Sequence, residues 1–194
     1  MQWIGIIGLS IASCVVYGIL HDQVTARVCV EYFTIGHPPI FPTQDPTLLG
    51  IGWGVIATWW VGAILGIPLA MVARLGTAPK KSAAQLFRPV VILMIFSASF
   101  AILMGVAGFV AAWNGWVVLI GDLATRVPAD KHVLFITDLW AHSASYFAGF
   151  VGGILLMVHT WRSRRSNAIA TKGDSSVGHS AAEATIKTAA DGSR

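Results

Sequence analysis

Four long apolar runs, 3–20, 50–73, 89–113 and 138–161, limit what this chain can fold into. At about 1.5 Å per residue, a helix of such length is close to or above the thickness of a bilayer's hydrocarbon core. No water reaches the backbone there, so a crossing segment must satisfy its own N–H and C=O groups, and a helix does so. Composition agrees. The chain is 55% hydrophobic and 11% charged, against about 25% charged residues in an average soluble domain. The expected fold is an all-α membrane protein. A four-transmembrane-helix bundle occupies 1–165, with a structured outer loop over 21–49, a second outer loop over 114–137 and a disordered cytoplasmic tail over 166–194.

The first run follows Met1-Gln2 with no basic residue and no small-residue cleavage site, so it reads as an uncleaved span rather than a secretion signal. Ile11-Ala12-Ser13-Cys14 resembles a lipoprotein box, but without an upstream Lys or Arg the span reading is preferred. Cys14 lies in an apolar run and Cys29 outside one, which predicts no disulfide between them. The loop after the second span carries Arg74, Lys80, Lys81 and Arg88 with no acid, and Arg162, Arg164 and Arg165 follow the fourth span. Basic residues favour the cytoplasmic side, so both termini are placed there, and in a bacterium the other two loops face the periplasm. Pro68 predicts a kink in the second span. The tail from Asn167 lacks aromatics and is rich in small and polar residues, which predicts disorder. His179 in that tail is expected to be idle.

Between the first two spans lies HDQVTARVCVEYFTIGHPPIFP, residues 21–42. From His21 to Phe33 it holds neither Gly nor Pro, so the first helix is expected to continue outward and end near Gly36. Arg27 and Glu31 are spaced to pair along that helix. His21, Thr25, Val28 and Tyr32 share one of its faces. At the outer end of the fourth span, Asp138 and His142 are four apart and stack on one face, with Ser145, Tyr146 and Gly149 continuing it. Two readings of the outer loop compete: a metal site, or a polar interfacial helix with a salt bridge and an aromatic belt. Asp138 could likewise be a helix N-cap. The shared depth of the two His–carboxylate pairs favours convergence. His21, Asp22, Asp138 and His142 are therefore the candidate metal ligands, with Glu31 and His37 supplementary. Imidazole and carboxylate suit a divalent transition metal such as Zn, Fe, Mn or Cu. The rest of the loop, from Val24 to Pro42, is expected to be a lid or docking surface. His132 reads as a solvated loop residue and His159 as an interfacial anchor.

The run 21–39, HDQVTARVCVEYFTIGHPP, resembles a stretch found in small bacterial integral membrane proteins to which no activity is attached. The resemblance spans about a tenth of the chain and implies no activity, cofactor or fold, only that the stretch recurs in such proteins. No Walker loop, GxSxG elbow or nucleic-acid module occurs. Gly62-x-x-x-Gly66 and Gly149-x-x-x-Gly153 predict close helix packing, within the bundle in preference to a homo-oligomer. Three functions fit: an inner-membrane protein with a His/carboxylate, metal-binding cluster at its periplasmic face; an accessory or scaffold subunit docking a membrane partner through the 21–42 loop; and a small-solute or metal transporter. Catalytic residues are not assignable from these residues.

Overall fold

The computed structural model describes the backbone of residues 1–191 and the side chains of residues 1–166. It is helical, without strands among the described residues. In chain order the helices are α1 (Gln2–Val28), α2 (Val30–Thr34), α3 (Pro46–Ile56), α4 (Trp59–Arg74), α5 (Ala83–Trp113), α6 (Gly121–Arg126) and α7 (His132–Asp191), with a 3-10 turn at Ala129–Lys131 before α7. Four stretches are long and apolar enough to cross a membrane: Gln2–Val28, Pro46–Arg74, Ala83–Trp113 and Ala129–Ser166. Each extends past the run read from hydropathy. The backbone of α7 continues as helix to Asp191, whereas the expectation of a disordered tail over 166–194 falls mainly on residues whose side chains are outside the description.

The helix starts follow local chemistry. Asp45 caps α3 by accepting from the Thr47 and Leu48 N–H groups, both at 2.9 Å, and Pro46 occupies the first turn. Ser82 and Gln85 form a capping box that starts α5 at Ala83, ahead of the expected Pro89. The second candidate span is interrupted at Ala57–Thr58, where the Thr58 hydroxyl donates to the Gly54 carbonyl at 2.5 Å. Pro68, the expected kink, lies inside the uninterrupted α4.

Around the bundle, α1 packs against α3 and α4, α5 against α7, and the two pairs join through α1–α5 and α4–α7. The first and fourth candidate spans are thus not flanking neighbours but face each other across the bundle. Glycines set the α1 spacing. A Cβ on Gly54 would stand 2.5 Å from the Ile19 backbone nitrogen, and one on Gly62 would stand 2.6 Å from the Ile11 Cα. Both contacts are with backbone, which cannot swing aside. Gly62 and Gly66 therefore spend their small surface inside this chain, against α1. Gly54→Ala is expected to lower stability by about 1–3 kcal/mol through overpacking, read as a fall in Tm of the detergent-solubilised chain. Gly149→Ala, whose Cβ would meet nothing within 4 Å, serves as the matched control. An unchanged Tm in Gly54→Ala would contradict this packing.

One end of the bundle is filled by Ile6, Leu69, Ala73, Leu86, Val90 and Leu156. The other is filled by Ala26, Cys29, Tyr32, Phe33, Leu49, Trp53, Val127 and Phe135. Large apolar side chains cover the outside of the long helices, among them Val16, Ile64, Ile95, Ile102, Ile154 and Leu155. Exposed apolar surface on this scale is foreign to a monomer in water.

Candidate metal centre

α1 carries His21 and Asp22 about two turns before it stops at Val28. α7 carries His142, well inside a helix that begins at His132. One ligand atom each from His21, Asp22 and His142 lies within 4.8 Å of the others. Asp22 is 5% exposed and His142 8%.

Hydrogen bonding determines what these atoms can do. His142 Nδ1 sits 2.8 Å from the Asp138 backbone carbonyl. A carbonyl only accepts, so Nδ1 carries the proton and donates. In the neutral imidazole, Nε2 then presents a lone pair, and that atom faces Asp22 Oδ1 at 3.2 Å. Two acceptors at this distance need a proton or a cation between them: a second proton on the ring, a proton on the carboxyl, or a metal ion bound by both. Two metal bonds of about 2.1 Å spanning that separation would meet at about 100°, compatible with tetrahedral or octahedral coordination. A ligating histidine that donates its other nitrogen to a backbone carbonyl is the usual outer-shell arrangement of metal sites. His21 supplies a third donor. Its Nε2 is buried without a hydrogen-bond partner among the described residues, and its ring stands edge-on to His142 with centroids 4.5 Å apart.

The other candidates go elsewhere. Asp138 is fully buried but lies outside the trio. Both its carboxylate oxygens lack a hydrogen-bond partner among the described residues, and its backbone carbonyl orients His142. It is no N-cap, since α7 begins at His132. Glu31 turns to Lys131, at 3.8 Å, and accepts from the Cys29 thiol. The expected Arg27–Glu31 pair does not form, because α1 stops at Val28 and α2 restarts at Val30. Arg27 instead bonds Gln23 and the Thr47 hydroxyl, tying α1 to the start of α3. His37 lines the same cavity as the trio without joining it. Its Nδ1 donates to the Tyr32 carbonyl at 2.9 Å, and burial lowers its pKa, so it is a neutral ring at pH 7. His132 bonds the Val127 carbonyl at the foot of α7, and His159 is exposed.

The segment expected to be a lid does cover the trio. Tyr32 stacks on His142 with ring centroids 4.4 Å apart, and Phe33 meets the same ring edge-on. Gly36 follows α2 with Ile35 as the cap. Its glycine is needed for room rather than for a left-handed turn: a Cβ there would stand 2.5 Å from the Tyr32 carbonyl and 3.0 Å from Phe135. Below the lid, a cavity of about 70 Å³ runs between the helices, lined by Tyr17, Ser145 and Tyr146 and reaching Ser97. This is room for an ion with a few waters. Tyr17 and Ser145 share a 2.7 Å hydrogen bond in its wall. Cys14 and Tyr17 had a legible signal, since both stack with His21 on the helix period. Trp53, against His37 at 4.5 Å, had none.

Cys29 is 2% exposed, and burial pushes its thiol up to about 12. The thiolate is the reactive form. In a Cys14→Ser background, Cys29 is expected to resist maleimide at pH 7.5 in the folded chain and to label fully after denaturation, as read by mass spectrometry. Rapid labelling of folded protein would contradict the packing of α2.

The fold and site define a class: a helical bundle, with four helices suited to crossing a membrane, that holds a buried His/Asp cluster at one end. Comparison of the chain with protein-family models, curated proteins and solved structures finds no match in any of the three.

Proposed function

We propose that this chain is a multi-pass protein of the bacterial inner membrane that binds a divalent transition metal through His21, Asp22 and His142 near its periplasmic face. The observation that carries the reading is the His142 ring, whose Nδ1 proton is committed to the Asp138 carbonyl while Nε2 faces Asp22 Oδ1 at 3.2 Å. Two imidazoles and one carboxylate match the donors of Zn and non-haem Fe centres. Three protein ligands beside a cavity leave at least one position for water or substrate, as catalytic centres require. The bound metal would supply Lewis-acid or redox chemistry there. The chain's own residues hold the ligands: Asp138 orients His142 through its carbonyl, and Tyr32 covers the ring and excludes solvent. Elemental analysis of the purified full chain tests the reading, and a metal content at background after loading with Zn or Fe would sink it.

The orientation rests on the end of the bundle opposite the trio. Gln2 there accepts from the Ala83 N–H, and Arg164 packs on the 75–79 loop, so the N-terminus, the basic loop and the basic flank of α7 lie together. The positive-inside rule assigns that end to the cytoplasm. A periplasm-dependent reporter is expected to be active after Gln44 and silent after Arg165. Activity after Arg165 would invert the orientation.

A further inference from the structure

Three histidines line the cavity beneath the lid, and His37 is the one outside the trio. Its Nδ1 donates to the Tyr32 carbonyl, so the neutral ring presents a lone pair on Nε2. No described residue bonds that nitrogen, and unlike His21 Nε2 it is open to water-sized groups. The ring packs on Tyr32 and Phe33, with centroids 5.0 and 5.8 Å away. Tyr32 also stacks on His142 at 4.4 Å, so the two imidazoles are no further apart than the two Tyr32 distances together. That gap is short enough for water to bridge. His37 is half-buried, and its neighbours Gly36 and Pro38 are exposed, so the same ring borders the outer water. A lone pair held in one tautomer between a metal centre and bulk water is placed to accept and release a proton.

The cavity also limits what an open metal position can receive. Its volume of about 70 Å³ holds about five water-sized groups. No Lys or Arg lines it, so only the metal would offset an anionic substrate, beside an Asp22 that is itself an anion when it ligates. Aromatic rings form much of the wall, with Tyr32, Phe33 and Trp53 on the lid side. The opposite side includes Tyr146, which is exposed on the apolar outer surface of the bundle. A small, neutral, lipid-soluble electrophile fits these walls, and carbon dioxide is such a molecule.

We infer that the centre hydrates carbon dioxide, with His37 as the proton acceptor. This activity rests on the metal centre proposed above. A metal such as Zn brings the pKa of its bound water to about 7. His37 Nε2 takes one proton from that water through bridging solvent. The remaining hydroxide oxygen bonds to the carbon of carbon dioxide, and one C=O electron pair moves onto oxygen, which gives hydrogencarbonate. Water replaces the product on the metal, and His37 releases its proton to the outer water. One carbon dioxide and one water thus become hydrogencarbonate and a proton, with no change of oxidation state.

The test uses the full chain in phosphatidylcholine nanodiscs, loaded with Zn, with metal content measured in the same sample. Exchange of a heavy-oxygen label from hydrogencarbonate into water is followed by membrane-inlet mass spectrometry. At chemical equilibrium it gives two rates. One is the interconversion of carbon dioxide and hydrogencarbonate, and the other is release of labelled water, which needs a proton delivered to the metal-bound oxygen. Zn-loaded wild type is expected to raise both at least ten-fold over empty nanodiscs, and chelation should remove the gain. His37→Gln, whose amide can still donate to the Tyr32 carbonyl, should keep its Zn and its interconversion rate and lose at least ten-fold in water release. Imidazole in the buffer should restore that rate. Unchanged water release in His37→Gln, or both rates falling together without rescue, would overturn the role of His37. A wild-type chain that holds Zn without exchange above empty nanodiscs would sink the hydration and leave the metal centre standing. Metal at background would sink both.

Discussion

Purified His142→Ala is expected to carry metal at background level, where the wild-type chain carries about one ion. Removing an outer-shell partner of a metal ligand typically costs about 10–100-fold in affinity, and His142 is itself a ligand in this arrangement. Its loss should therefore reduce affinity by about 100-fold or more. Asp22→Asn and His21→Ala should act in the same direction. Asp138 supplies the informative contrast. Sequence placed it among the ligands, whereas the trio excludes its side chain and uses only its backbone carbonyl. Asp138→Asn is accordingly expected to keep its metal. Equal content in wild type and His142→Ala would dismiss the centre, and loss in Asp138→Asn would restore the four-residue cluster.

Arg164→Met is expected to be the most destabilising of the polar substitutions at the opposite end. Arg164 is 4% exposed and has no carboxylate partner among the described residues. Its guanidinium donates to the Leu75, Ala78 and Pro79 carbonyls, each at 2.8 Å, and also to Val72. Val72 belongs to the last turn of α4, and Leu75 is its cap. A helix end leaves its final carbonyls without partners and carries a partial negative charge, so a cation there satisfies both deficits. Val72 and Ala78 are half-buried, so each of their carbonyls left unpaired costs about 1–3 kcal/mol, whereas water reaches the exposed Leu75 and Pro79. A total of about 3 kcal/mol or more follows, and the measurement is the Tm of the detergent-solubilised chain. Arg164→Lys should recover only part of the loss, because an ammonium cannot spread its donors over four carbonyls as the planar fork does. Arg165→Met serves as control. Arg165 is exposed and stands 3.9 Å over the Trp161 ring, a contact worth about 0.5–1 kcal/mol at such a site. A similar Tm for the Arg164 and Arg165 variants would refute the cap.

Arg164 also marks how far sequence reading reached. In the sequence it is one of three arginines after the fourth apolar run, and all three served equally to orient the chain. Only the packing of α7 against the end of α4 and the 75–79 loop separates it from Arg162 and Arg165 as a structural residue. The Ser82–Gln85 capping box was different. Its S-x-x-Q pattern was present in the sequence, but the apolar run starting at Pro89 outweighed it, and the α5 start was placed six residues late. The break at Ala57–Thr58 had no such sign; there Thr58 donates its hydroxyl to the Gly54 carbonyl one turn back, beside the close approach of Gly18 and Gly54.

The amino-acid sequence by itself determined the helical class, the four long apolar helices and the position of the His–carboxylate pairs along them, since hydropathy length and helical period are local properties. It also placed His21, Asp22 and His142 among six ligand candidates. Which three converge was decided by tertiary structure. His142 reaches Asp22 across the bundle rather than between flanking helices, and one carbonyl contact determines which ring nitrogen is free. Donor identity can be read from spacing along a helix. Donor convergence depends on the rotation of one helix against another, which close-packed glycines and side chains set only when the bundle closes.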